Sequence, residues 1–96
     1  MTRRELMPTN GRKSFYGKAI VEVDDYGVET LFSYSTPIIK RFPNGTLKRL
    51  YDEAPSLTTS THIKSFCGLN KREFMALYFE TFVDLKRKEI KNEKTN

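Results

Sequence analysis

The chain has 96 residues, 38% of them hydrophobic and 30% charged, with a net charge of +5. That length is one domain, and seven Phe and five Tyr give it more core-forming bulk than a disordered chain carries. A single Cys and a single His exclude an internal disulfide and a zinc site of Cys and His ligands.

No stretch approaches the ~18 consecutive apolar residues of a membrane-spanning helix. The start of the chain is charged but has no apolar run behind it, so it does not read as a signal peptide. The expected compartment is the cytoplasm, where Cys67 stays reduced. The positive charge is unevenly placed. Residues 1–13 and 86–96 each carry a net +3, while residues 14–85 carry −1. The sequence therefore divides into a flexible basic arm over 1–13, a single domain over 14–85 and a charged, fraying tail over 86–96.

Pro8 and Asn10-Gly11 mark the arm as loop. Residues 15–24 alternate as a strand, with Ala19, Val21 and Val23 on one face. Asp24-Asp25-Tyr26-Gly27 reads as a turn. Residues 28–34 resume the alternation, with Glu29, Leu31 and Ser33 against Thr30, Phe32 and Tyr34. Pro37 then turns or bends the chain. Residues 38–42 and 46–52 flank Pro43-Asn44-Gly45, and Asn-Gly between two such runs is a strong hairpin signal.

After Pro55 the period becomes helical. Thr58, Thr59 or Ser60 caps a short helix through His62, Ile63 and Phe66, and Gly68 ends it. Asn70 with Glu73 resembles a capping box opening a second helix. Its stripe of Phe74, Tyr78, Phe82 and Leu85 extends to residue 85. The expected fold class is α+β: an antiparallel meander of three or four strands followed by two C-terminal helices.

No pattern of catalytic residues is present, and an enzyme is not expected; neither is a metal or other cofactor. His62 and Cys67 are five apart, so on a helix they diverge by about 140°. They read as a locally hydrogen-bonded histidine and a small packed thiol. The hairpin is more informative. Lys40 and Arg41 precede its turn, and Lys48 and Arg49 follow it. A two-residue turn sets Arg41 against Lys48 and Lys40 against Arg49, and a shift by one still sets Lys40 near Lys48. Like charges placed opposite one another are unfavourable, so an anionic partner or a guarded sheet edge would account for them. Lys40, Arg41, Lys48 and Arg49, with Phe42 and Tyr51 as aromatic anchors, form the expected partner-binding set. The second helix carries more apolar surface than one sheet covers, which points to a homodimer interface through Met75, Phe79, Phe82 and Val83.

Several segments together resemble a family of short proteins encoded on phages, plasmids and integrated elements of Gram-positive bacteria. They are Lys13 to Ala19, Ser33 to Thr36, Gly45, Arg49-Leu50-Tyr51, Ser56 to Thr59 with His62, Ile63 and Phe66, and Lys71 to Phe74. Tyr51 stands where relatives carry Trp, and Thr61 where they carry a basic residue. The resemblance implies a mobile-element protein working in a bacterial cytoplasm. Small non-enzymatic proteins in that setting block host defences, so it also implies an anti-CRISPR inhibitor that binds Cas9 or its guide-RNA complex. The alternative is a small nucleic-acid-binding accessory or regulatory protein using the basic hairpin and tails on phosphates. A structural or assembly protein acting through the second helix is a third reading.

Overall fold

In the computed structural model, residues 1–9 and 14–79 are described. The elements in chain order are β1 (Thr2–Glu5), β2 (Ala19–Val23), β3 (Glu29–Ser33), β4 (Thr36–Arg41), β5 (Leu47–Arg49), α1 (Leu57–Cys67) and α2 (Lys71–Met75). The strands form one antiparallel sheet in the order β1-β2-β3-β4-β5. This is the expected α+β meander with two following helices, and Pro37 lies inside β4 rather than at its turn.

The alternation anticipated in β2 and β3 places Ala19, Val21 and Leu31 in the core, with Ile63, Phe66 and Phe74 of the helices. β4 breaks the simple period. Its register against β3 shifts at Leu31/Phe32, so Ile39 faces Leu31 while Pro37 faces Phe32. Ile38 is the extra residue, and a bulge of this kind lets two successive side chains turn inward. Ile38 and Ile39 are accordingly both buried.

Three expectations need correction. Residues 1–13 are not simply an arm: Thr2–Glu5 pairs with β2, the Leu6 amide donates to the Ala19 carbonyl at 2.9 Å, and the Leu6 side chain is buried. Local turn residues at Pro8 and Asn10-Gly11 hid a strand whose polar side chains are all exposed. Next, the strand anticipated from residue 15 begins at Ala19. The Lys18 amide bonds the Phe15 carbonyl at 3.0 Å and closes a turn there. Last, the second helix stops at Met75 instead of reaching residue 85. Beyond Ala76 the chain runs beside β5, where the Arg49 amide donates to the Tyr78 carbonyl at 2.8 Å and Phe79 bridges Arg49 in parallel. Residues 80–85 of the anticipated stripe, and the tail over 86–96, lie outside the described residues.

The helix ends follow from their caps. Ser56, two to four positions before the anticipated caps Thr58, Thr59 or Ser60, accepts from the Thr59 amide, and Gly68 at φ 78° closes α1 by donating to the Lys64 carbonyl. Asn70 and Glu73 form the complete reciprocal capping box.

Candidate functional site

The β4–β5 hairpin turns on three residues. The Phe42 amide donates to the Thr46 carbonyl, and the Gly45 amide donates back to the Phe42 carbonyl, both at 2.9 Å. Gly45 adopts φ 90°, the left-handed position such a loop requires after its first turn. The third residue sets the register to Lys40↔Lys48, with Arg41 opposite Leu47 and Ile39 opposite Arg49. The strict two-residue pairing is thus not adopted, and the shifted one is.

This register sorts the four cations by face. Arg41 shares its face with Leu31, Ile39 and the helices. Its Nε and Nη2 donate to the Glu29 carboxylate at 2.8 and 3.1 Å, and its Nη1 donates to the Phe66 carbonyl at the end of α1 at 2.8 Å. The guanidinium also stacks 4.2 Å from the Phe66 ring centroid. Hydrogen bonding to Arg41 is the main force holding the Glu29 carboxyl below its ordinary pKa; burial opposes it, and the Arg41 and Arg4 charges assist. Arg49 is occupied in the same way. Its side chain donates to the Tyr51 and Leu77 carbonyls at 3.0 and 3.4 Å and lies over the rings of Phe74 and Phe79. Both arginines hold helices and trailing chain to the sheet.

Lys40 and Lys48 point to the other face. Their ammonium groups lie 5.5 and 5.3 Å from the centroid of the same Phe42 ring, and Lys48 is 5.7 Å from the ring of Tyr78. The ring's negative face moderates the repulsion between two opposed cations. Tyr78 is 65% exposed. Thr30 continues the row beside Lys40, while Ile20, Phe32 and Pro37 are half-buried along the next row of the same face. The expected partner-binding set therefore splits. Lys40, Phe42 and Lys48 come together with Tyr78, a residue assigned in sequence to a helix stripe. Arg41 and Arg49 turn inward. Tyr51 packs against the core, and its phenol donates to Glu53 at 3.2 Å, which together with burial raises its pKa.

The anticipated dimer surface is altered likewise. Met75 packs against the chain's own core, Phe79 is taken up beside β5, and Phe82 and Val83 lie outside the described residues. The long apolar stripe that motivated a dimer is not presented by α2.

The two reactive side chains sit apart. His62 is 1% exposed, and its Nδ1 lies 2.8 Å from the Ser33 hydroxyl, which is 3.0 Å from the Thr59 hydroxyl. The Phe15 ring packs edge-on against the imidazole at 4.5 Å. Cys67 donates to the Ile63 carbonyl at 3.4 Å, and burial pushes its thiol pKa up against the smaller lowering effects of the Leu69 amide and Arg41. Neither environment favours a nucleophile. Among the described residues there is no cluster of three His, Cys, Asp or Glu side chains that could hold a metal, and no helix is long and apolar enough to cross a membrane. A cavity of about 310 Å³ opens beside α1, lined by Thr9, Thr61, Lys64 and Ser65.

A second surface escaped the sequence reading. Tyr16 and Tyr34 occupy turns at positive φ, at 54° and 52°. Tyr16 reads as strand, and Tyr34 as the last residue of an alternating run. β3 ends at Ser33 and β4 begins at Thr36, so Tyr34 and Ser35 are left to make the tight turn that sequence alternation ran through.

The fold and its faces define a class: a five-strand antiparallel meander whose helices pack on one face and whose opposite face carries a lysine–aromatic cluster. The chain belongs to DUF8033, a family of unknown function, whose match spans residues 4–82. No curated protein and no solved structure shows significant similarity to it.

Proposed function

We propose that this is a non-enzymatic interaction protein of a mobile genetic element, acting in the bacterial cytoplasm as an anti-CRISPR inhibitor that binds Cas9 with its guide RNA. The target is suggested by the resemblance to short mobile-element proteins. The mode of binding is suggested by the hairpin. One observation carries the reading: of four hairpin cations, only Lys40 and Lys48 face outward, and they do so around Phe42 and beside Tyr78.

The hairpin by itself offers only two outward lysines, few for gripping nucleic acid through charge, because affinity for a polyanion scales with the phosphates neutralised. The same arrangement suits a compact docking spot, with aromatic anchors and charges that steer and orient. A specific complex is therefore favoured over the accessory-protein reading.

Gel shifts with free guide RNA and with the assembled Cas9 complex test the proposal. The expected result is weak binding to free RNA at physiological salt, clear binding to the complex, and loss of the latter in the K40E/K48E double variant. Equal, steeply salt-dependent binding to any nucleic acid would favour the accessory reading. No effect of the double variant on a folded protein would make the hairpin only a guarded edge.

A further inference from the structure

The sheet end opposite the Pro43-Asn44-Gly45 loop is built from two tight turns. In Phe15–Lys18 the central residues Tyr16 and Gly17 have φ of 54° and 75°, and in Ser33–Thr36 the central residues Tyr34 and Ser35 have φ of 52° and 70°. Turns with two positive φ values favour Asn-Gly or Asp-Gly, since a side chain at such a residue strains the backbone. Here three of the four positions carry side chains, and two of those are tyrosines. Backbone stability does not explain that choice.

The turns abut. The Tyr34 amide donates to the Lys18 carbonyl at 2.9 Å. Glu5 braces the first turn by accepting from the Gly17 amide at 2.7 Å and the Ser14 hydroxyl at 3.1 Å. Tyr16 is 80% exposed and Tyr34 53% exposed. The Lys18 ammonium lies 5.8 Å from the Tyr34 ring centroid, while the inner side of that ring leans on His62 at 6.0 Å. Both rings are thus displayed on a braced, strained backbone, one of them with a cation beside it.

We propose that Tyr16 and Tyr34, with Lys18 between their turns, form a stacking site for bases of a single-stranded nucleic acid. Stacking on an exposed ring works without a surrounding pocket and tolerates any base, with a neighbouring cation taking the phosphate. The turn residues beside the rings, Ser14, Lys18, Ser35 and Thr36, are polar, which suits a base and its phosphate better than an apolar partner surface. The site is separate from the Lys40–Phe42–Lys48 surface, which lies at the other end of β4, and does not depend on what that surface binds.

The chain has no tryptophan, so a Tyr34→Trp variant gives a clean reporter. Titration with short oligouridine and oligothymidine should quench its fluorescence to saturation. With one cation involved, the salt slope should be shallow, about −0.7 in log K per log salt. Tyr16→Asn and Tyr34→Asn each remove a ring while placing a residue suited to positive φ. Each should weaken oligonucleotide binding about five- to a hundredfold and leave the melting temperature unchanged or higher. The K40E/K48E variant should retain this binding even if it loses an effector complex. Absence of saturable quenching overturns the proposal. So does undiminished binding by both Asn variants, or a loss that appears only together with a fall in melting temperature. If the Asn variants lose a protein target while oligonucleotides never bind, the surface docks protein and the nucleic-acid assignment is wrong.

Discussion

Lys40 stands directly opposite Lys48 across the β4–β5 ladder, and both ammonium groups lie over one phenylalanine ring. An opposed pair of like charges destabilises a two-strand ribbon, whereas an opposed Glu–Lys pair stabilises it by about 0.2–1 kcal/mol. Lys40→Glu should therefore raise the melting temperature by a few degrees. On the proposed function it should also weaken binding to the target complex. A thermal melt and a pull-down on the same preparation check this. A variant that is both more stable and fully active would remove the hairpin from the mechanism.

Arg41 should behave in the opposite way. Its bonds to Glu29 and to the Phe66 carbonyl lie on the inner face, so Arg41→Ala should cost about 2–4 kcal/mol of stability. Arg41→Lys should recover little of this, because an ammonium cannot make the two-pronged contact with Glu29 while also reaching Phe66. Urea denaturation of the two variants gives the comparison directly.

Acid should act through the same pair. Glu29 has a folded-state pKa below the ordinary 4.5, chiefly because Arg41 hydrogen-bonds its charged form. The stability this supplies is fully present above the unfolded value and is lost as pH falls through the folded one. Glu29→Gln should be less stable than the native protein at neutral pH, and the difference should shrink below about pH 4.5. A series of denaturation curves across that range tests the sign.

Cys67 should be slow to react. Its thiol is largely buried and its pKa raised, so little thiolate exists at neutral pH. Alkylation of the folded protein should lag well behind that of the urea-unfolded chain, and Cys67→Ser should keep target binding. Complete loss of binding in a folded Cys67→Ser protein would contradict this placement.

Ser33 joins His62 and Thr59 inside the protein. Ser33→Ala leaves both partners short of a buried hydrogen bond and should cost about 1–3 kcal/mol. Thr59→Ala should cost less, since it removes the hydroxyl bonded to Ser33 but leaves the Ser33–His62 bond in place. Calorimetric melting of the two variants separates them.

The sheet was legible wherever one face is buried. The alternation of Ala19, Val21 and Leu31 and the Asn44-Gly45 signal gave the strands, and the Asn70–Glu73 capping box gave the start of α2, whereas α1 starts earlier than its anticipated caps, behind Ser56. β1 was hidden because all four of its side chains are exposed, so it has no apolar period to read. The second helix was overextended because Tyr78 and Phe79 keep helical spacing from Phe74 and Met75. What stops it is Arg49, which holds the Leu77 and Tyr78 carbonyls from a distant strand. The candidate site was half legible. Composition located the basic hairpin, but which cations face outward depends on a loop of three residues rather than two, and on Glu29 lying one strand away.

The bond from Arg41 to the Phe66 carbonyl also bears on how the protein opens. One side chain joins β3 through Glu29, its own strand β4, and the final turn of α1. A helix tied to the sheet at its last carbonyls has no independent route to unwinding from that end. Amide protons near the C-terminus of α1 should then exchange with deuterium at the rate of the central strands, as one cooperative unit rather than by local fraying.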